Sequence, residues 1–423
     1  TETEEIRIYG MDSDDQFVVN GKSNNDISLR IIPGKGKDSI KDHSQKGRER
    51  IKVYDNEKTG FDLSSNSRLH LSRDTFLNNY QYKHFEYDDK GFVFKPGLTL
   101  GFGYHITKHG WRKTPFASEH RWVGYYGPNR GSFAFEYRYI ANQLIGKWNL
   151  EAIARADFPF VANYYGIGNE TAMNTDINRR YYRYRSTKFS GGFDLHRLFD
   201  SVHRVSVSGL FQTVKIRPDE DRFIMDDLSE IDPSVFEQNY YARAGVGYQF
   251  KKADHPIVPT KGIEFNLAAA YIQNIKQGNK NIADYSSSLS FYLPFLRNFS
   301  LAMRVGGETI TGNPEFFQLA TLSGKENLRG FRRQRYYGKS SFYNNNELRF
   351  ILNTRNRLFN GKIGLLAFLD QGRVWQPGEE SNTWHHGYGG GFFISPFNRI
   401  LLNASYGISE DDRVLHLRIG FFF

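Results

Sequence analysis

Along most of the chain, apolar and polar residues alternate singly. Phe133, Phe135, Tyr137 and Tyr139 interleave with Ala134, Glu136 and Arg138. Ile263, Phe265, Leu267, Ala269 and Tyr271 interleave with Glu264, Asn266 and Ala268. Ile400, Leu402, Ala404, Tyr406 and Ile408 oppose Leu401, Asn403, Ser405 and Gly407. In the last segment Leu415, Leu417, Ile419, Phe421 and Phe423 share one face, with His416, Arg418 and Gly420 on the other. A period of two belongs to the β-strand, whose successive side chains point to opposite faces. Fifteen segments read this way, the first at about 92–106 and the last at 413–423. A two-faced sheet of that size with an aromatic outer face needs lipid against it. The pattern predicts an all-β transmembrane barrel.

Composition fits once the two faces are separated. Only 39% of residues are hydrophobic, and mean hydropathy is −0.59. No apolar run approaches the roughly 20 residues a spanning helix needs. Yet aromatics reach 16%, with 36 Phe and 26 Tyr. A barrel with a polar lumen and an aromatic exterior averages to just such values. The absence of cysteine excludes disulfides, thiol catalysis and Cys-based metal sites. The net charge of +10 is dispersed or held in loops, as at Arg179, Arg180, Arg183, Arg185 and Lys188. Such loops suit an anionic glycolipid; no nucleic-acid module accompanies the charge. No leader is visible at Thr1-Glu2-Thr3, so one was removed or the chain is part of something longer.

Parity refines the count. Pro294–Arg297 and Ser395-Pro396-Phe397-Asn398 read as short periplasmic connections. The stretches near 158–183, 217–238 and 311–342 read as long extracellular loops. With a periplasmic C-terminus, a periplasmic N-terminal module requires one strand more. Tyr80–Tyr87, followed by a turn at Asp88-Asp89-Lys90-Gly91, supplies it. The expected architecture is a 16-stranded antiparallel barrel over 79–423, after a small β-rich periplasmic module over 1–78.

Within 1–78, two stretches are alike. Gly10-Met11-Asp12-Ser13-Asp14-Asp15-Gln16-Phe17 is a degenerate G-G-x-G-x-D-x-U rung, and Pro33-Gly34-Lys35-Gly36-Lys37-Asp38-Ser39-Ile40 a better one. In calcium-binding β-rolls such rungs stack at a short period. Here Asp15 and Asp38 are 23 apart (38 − 15). They are weak calcium candidates; the alternative is two turns using Gly and Asp for tight geometry. No other metal site is read.

The long loop after the tenth strand carries Leu328-Arg329-Gly330-Phe331, then Arg332, Arg333 and Arg335. Beyond it come Asn346-Glu347-Leu348-Arg349-Phe350 and Phe368-Leu369-Asp370-Gln371-Gly372. A buried arginine must be paired, since a lone charge at low dielectric costs several kcal/mol. Asp370 is the best partner. It shares a face with Phe368 and Gly372, while Leu365, Ala367 and Leu369 form the apolar face. The remaining arginines read equally as part of this plug or as a solvated basic loop. Glu347 and Arg349 share one luminal face, either as a salt ladder or as support for Arg329.

On these residues the chain resembles the barrel of the BamA/TamA-type outer-membrane assembly and translocation proteins, the bacterial surface antigen superfamily. In that family an [LV]-R-G-[FY] tip folds back into the lumen, and its arginine meets an F-x-D-x-G strand. Pro259-Thr260-Lys261-Gly262 and Ser395-Pro396-Phe397 are similar to its P-T-[RK]-G and S-P-[LF] motifs. Leu322-Ser323-Gly324 departs from the usual L-G-G. The resemblance implies sixteen strands and a Gram-negative outer-membrane location. Its implied role is insertion or translocation of client polypeptides without ATP, and its implied partners are outer-membrane lipid, glycolipid and other assembly subunits. Ile419, Phe421 and Phe423 would be the C-terminal assembly signal. The family's βααββ periplasmic modules are not visible.

Two further readings stand beside this one. The chain could anchor an upstream calcineurin-like phosphoesterase, whose G-N-H-[DE] signature is missing here; Gly168-Asn169-Glu170 lacks the histidine. Or it could be a plugged diffusion pore. Nothing indicates an enzyme or a cofactor: His385 and His386 are adjacent and so face opposite sides of a strand.

Overall fold

The computed structural model describes residues 5–22, 27–45, 50–56, 60–65, 67–71, 89–95, 99–128, 131–174, 176–355 and 360–423. They fall in two compact units, one within Thr1–Asp89 and Thr107–Ala117, the other within Lys90–Ile106 and Ser118–Phe423.

The first unit is a parallel stack. Strands β1 (Glu5–Tyr9), β3 (Ser28–Ile32), β5 (Ile51–Asp55) and β7 (Ser67–Leu71) form one sheet. Strands β2 (Gln16–Gly21), β4 (Ser39–Ser44) and β6 (Phe61–Asp62) form the other. Because the chain alternates between sheets, each coil contributes one strand to each. Glu5 pairs with Ser28 and Gln16 with Ser39. The 23-residue spacing of Asp15 and Asp38 is therefore the length of the first coil. Ile31, Ile40, Ile51 and Val53 fill the core between the sheets. At the corner, Gly34 lies over Met11 and Gly36 over Ser13, so close that a Cβ on either would overlap the backbone below. Both glycines have positive φ, 110° and 148°. Asp14 and Asp38 link the coils: Lys37 N donates to Asp14 Oδ1 at 2.7 Å, and Asp15 N to Asp38 Oδ1 at 2.9 Å.

The second unit holds all but residues 89, 107–110 and 113–117 of one 16-stranded antiparallel sheet. Its first half is β8 (Asp89–Lys95), β9 (Leu100–Gly110), β10 (Lys113–Gly127), β11 (Ser132–Ile145), β12 (Trp148–Asn163), β13 (Arg183–Phe199), β14 (His203–Ile216) and β15 (Asn239–Ala253). There follow β16 (Gly262–Asn274), β17 (Asn281–Leu296) and β18 (Phe299–Gly312). A small hairpin, β19 (Ala320–Leu322) with β20 (Tyr336–Gly338), stands inside the long loop. The sheet resumes with β21 (Ser340–Arg355), β22 (Asn360–Trp375), β23 (His385–Pro396), β24 (Leu402–Ile408) and β25 (Arg413–Ile419). Each barrel strand neighbours the next, and the order ends on β8 and β25. Short turns such as 200–202 and 297–298 lie at one end, and the long loops 164–182, 217–238 and 313–339 at the other.

The faces follow the alternation. Phe133, Phe135, Leu267, Leu365 and Leu417 are exposed on the outside, where the bilayer would cover them. Inward-facing Arg155 bridges Glu136 and Asp157 at 3.0 and 2.8 Å. At the long-loop end, Tyr164, Ile224, Ile231, Val235 and Phe316 pack on the inward-facing ends of strands, at Ala162, Tyr184, Val214 and Tyr241. Tyr164 donates to Asp227 Oδ2 at 2.7 Å; burial and this carboxylate raise its phenol pKa. Lys280 ties Asp232 and Glu315 at 2.6 and 2.7 Å.

The structure corrects the sequence reading in three places. The segment 92–106 is two strands, not one. Asp89, Lys90 and Gly91 open β8 instead of turning; β8 ends at Lys95 and β9 begins at Leu100. The expected strand Tyr80–Tyr87 lies outside the described residues. Second, the turn expected at Pro294–Arg297 lies at Arg297–Asn298. Pro294 stays in β17 beside a register shift between Pro294 and Leu296, an irregularity that tolerates a missing N–H. Third, β25 stops at Ile419. Gly420 has φ +94°, and Phe421 and Phe423 do not continue the outer face. Both rings lie near the inward-facing guanidinium of Arg349, at 3.7 and 5.8 Å. The arginines behind the strand recruit the rings away from its apolar side.

Candidate functional site in the barrel lumen

The long loop between β18 and β21 turns back against the inner wall. Its turn is built at Leu322-Ser323-Gly324. The Ser323 carbonyl accepts from the amides of Glu326, Asn327 and Leu328, each at 3.0 Å. Ser323 N donates to Asn327 Oδ1 at 2.7 Å. Leu322, Leu328, Phe331, Tyr336 and Val374 then form a buried cluster. Burying Leu328 and Phe331 drives the tip inward; Gly330, at φ +93°, turns the chain between them.

Arg329 is thereby placed against β21 and β22, 1% exposed. Its Nε and Nη2 donate to Asp370 Oδ2 and Oδ1 at 2.7 and 2.8 Å. Its amide also donates to Asp370 Oδ2, at 3.0 Å. Nη1 donates to Glu347, whose other oxygen takes Arg349 Nε at 2.6 Å. The fork thus has two carboxylates, one bidentate, the strong geometry for an arginine pair. Its faces are covered too: Cζ lies 3.8 Å from the Phe368 ring centroid and 4.4 Å from that of Phe422. Removing either carboxylate would leave buried positive charge in excess. Gly372 serves differently. It faces the methyls of Leu322 rather than the tip.

Two glycines make room. A Cβ on Gly387 of β23 would fall on the Arg329 carbonyl oxygen, and one on Gly407 of β24 on Gly330 N. The tip therefore lies backbone to backbone over β23 and β24 to reach β22. The remaining arginines divide. Arg335 pairs with Asp411 at 2.6 Å, and Arg332 with Asp412, while Arg333 is exposed. Sequence reasoning did not single out Asp411, Asp412, Gly387, Gly407 or Phe422. Two adjacent acids in the last turn, complementing Arg332 and Arg335, were a usable signal. The glycine alternation at Gly387, Gly389 and Gly391 was another. Beside the loop lies a cavity of about 750 Å³, lined by Arg204, Ser286, Arg304, Glu308, Glu326 and Tyr343 among others.

Asp15 and Asp38 sit on neighbouring coils of the first unit and take part in the coil-to-coil bonding described above. Among the described residues no group of three His, Cys, Asp or Glu is arranged to hold a metal ion. His385 is buried and His386 exposed; His385 Nδ1 meets Glu410 at 2.7 Å and its ring stacks on Tyr336 at 3.7 Å.

Residues 134–423, well over half of the chain, match the Omp85 superfamily domain. The chain belongs to the Omp85 superfamily. Among solved structures, BamA from Haemophilus ducreyi lacking POTRA domains 1–3 is similar at 13% identity, with a TM-score of 0.59, over 89% of this chain and 85% of that one. CdiB from Escherichia coli is similar at 13% identity and TM-score 0.52, over 82% of this chain and 70% of its own. At such identities the likeness is one of fold. No curated protein matches. As an Omp85 member the chain is an outer-membrane β-barrel that acts in inserting or translocating proteins at that membrane.

Proposed function

We propose that this Omp85 barrel moves client polypeptides by withdrawing the luminal loop and parting β8 from β25. Leu328, Arg329, Gly330 and Phe331 are the gate; Glu347, Phe368, Asp370 and Gly372 are its seat. The short turns and both chain ends face the periplasm, with residues 1–78 as a periplasmic module. The partners are clients and outer-membrane lipid, with other assembly subunits as candidates. The charges of the site engage one another, as in a lock. Asp15 and Asp38 act as coil links rather than as a calcium site.

The observation that carries this reading is the Arg329 seat. A loop seated by a few charged pairs beside a preformed cavity can be released as a unit. A passive pore has no use for a filled lumen, and an anchor has none for a seat this specific. The first and last strands are the natural place for opening, each only seven residues long. Since the chain has no cysteine, pairs scanned across Gly91–Phe94 and Leu415–Leu417 can be oxidised cleanly. A disulfide there should confirm the seam and stop client assembly in cells depleted of the native protein. A closed disulfide with full assembly would leave a static anchor or pore as the better account.

A further inference from the structure

The two ends of the barrel handle charge differently. At the long-loop end, charges pair with one another. Arg185 meets Asp219 at 2.5 Å, Lys280 meets Asp232 and Glu315 at 2.6 and 2.7 Å, and Lys276 meets Glu237. The short-turn end is built otherwise. Its turns 146–147, 254–261, 297–298 and 397–401 carry Lys147, Lys261, Arg297 and Arg399, all exposed. Near this end, Lys252 of β15 shares the outward face of Val246, and Arg197 of β13 that of Phe193. Among the described residues, none of these side chains has an ion pair or a hydrogen bond. Acid is scarce here. Asp254 is consumed by its own turn, accepting from Thr260 Oγ1 at 2.5 Å and from the amides of Thr260 and Lys261 at 2.9 and 3.0 Å. Glu264 is taken by Lys251 at 2.7 Å and Asp194 by Arg204 at 2.5 Å. Apolar side chains stand among the free cations: Ile145, Phe199, Leu296 and Phe397 are exposed, and Arg197 Cζ lies 4.5 Å from the centroid of the Phe199 ring.

We propose that this rim binds the headgroups of phospholipids that carry net negative charge. A cation on a lipid-facing wall is tolerated only where it reaches the interface. Long Lys and Arg stems lie along apolar surface and carry the charge there. With no acid of this chain to meet them, the cations at that depth have lipid phosphate as their counter-ion. Charge complementarity favours anionic over zwitterionic phospholipids, whose own amine competes for the phosphate. A soluble acidic partner would satisfy the charges but leave Ile145, Leu296 and Phe397 in water. The rim lies at the opposite end of the barrel from the basic stretch 179–185, so it is a separate surface from any glycolipid contact there. The lipid preference rests on charge and depth, not on transport; which leaflet it concerns follows from the orientation proposed above.

Spin-labelled lipids read the preference directly. The full chain is reconstituted in phosphatidylcholine vesicles. The fraction of spin-labelled phosphatidylglycerol immobilised at the protein is then compared with that of spin-labelled phosphatidylcholine. A preference of about twofold to fivefold is expected, the upper figure being what one basic residue at an anionic surface is worth. It should fall as salt screens the exposed cations. Lys147→Gln, Lys252→Gln, Arg297→Gln and Arg399→Gln combined should bring it close to one. If that combination does not fold, Lys147→Gln with Arg399→Gln, both in turns, is read in its place and should lower the preference in part. Exchanging Lys for Arg and Arg for Lys at the same positions keeps the charge and should keep the preference. An equal loss of charge at the other end, Arg179→Gln, Arg180→Gln, Arg217→Gln and Arg333→Gln, should leave it unchanged. No preference in the unsubstituted chain overturns the proposal. So does a preference that survives neutralising the rim, or one that both neutralised sets lower equally. Binding of soluble polyglutamate that the rim set alone abolishes, with lipid preference unchanged, would assign the rim to an acidic polypeptide instead.

Discussion

The β21–β22 wall and the β24–β25 hairpin belong to one sheet but are secured by different physics. The wall strands are 16 residues long, the hairpin strands seven. A long ladder spreads its stability over many backbone bonds, each worth about 1 kcal/mol net, so the pairing of its strands does not hang on any one of them. The hairpin leans instead on a few buried or half-buried charges. Concentrated support of that kind fails at once when one partner is removed. The difference suits the proposed opening, in which the barrel stays inserted in the membrane while one edge moves.

That contrast can be broken at its strongest point first. Asp370→Ala leaves Arg329 buried with one carboxylate shared with Arg349, and should cost about 3–5 kcal/mol. Heat-modifiability on a semi-native gel would report it as a lower unfolding temperature. The Arg329→Ala/Asp370→Ala double variant should cost less than the sum of the singles; strict additivity would remove the pairing from the argument. Next, Asp411→Ala takes the carboxylate from buried Arg335, which keeps its bonds to Thr171. A loss of about 1.5–3 kcal/mol is expected, as for a hydrogen bond to a charged group. A comparable substitution on the wall's outer face, Leu369→Ser, should shift the gel temperature far less.

Gly387→Val tests the passage rather than the charges. Its Cβ would meet the Arg329 carbonyl, with strain of about 1–3 kcal/mol typical of overpacking. The substitution should add little in an Arg329→Ala background, where the tip is already loosened. Independent effects in the two backgrounds would show that the glycine serves strand geometry, not the tip.

The smallest effect expected is acid loosening over β15–β18. The Lys280 ammonium and the Ser234 amide hold the Asp232 carboxyl down at about 2. A depressed carboxyl stabilises the fold above its unfolded value and ceases to do so as pH falls through the folded one. Loop exchange around 232–237 should therefore rise between pH 4 and 2, while the long ladders beneath hold. A rise already complete at pH 5 would point to some other group.

Much of this fold was readable because a period of two survives wherever one face meets lipid and the other water. Strands such as β11 and β16 show it without interruption. It failed where another force competes. At 89–95 charged Asp89 and Lys90 mimic a turn although Phe92 and Phe94 face outward. At Phe421 and Phe423 the alternation persists in sequence, yet the arginines inside the barrel outweigh the strand. The seat of Arg329 was legible as two motifs in order. Its hairpin-side partners were not, because Asp411 and Asp412 acquire meaning only when the barrel brings residue 412 beside residue 332. The parallel stack was half visible: its repeat was noticed, but one repeat spans two strands in different sheets.

That stack carries a consequence for length. Each coil must return the chain to the same corner, with Ile31 and Val53 inward and Arg30 and Lys52 outward. Removing one residue turns every following side chain of a strand to the wrong face. Removing the first coil, 23 residues from Glu5 to Ser28, deletes a storey and leaves the pairing of β3 with β5 and of β5 with β7 whole; the later coils are shorter, 22 residues from Leu29 to Ile51 and 16 from Ile51 to Ser67. The module's size therefore changes by whole coils: its natural variants should differ by coil-length steps, here 16 to 23 residues, and deletions that cut within a coil should not fold.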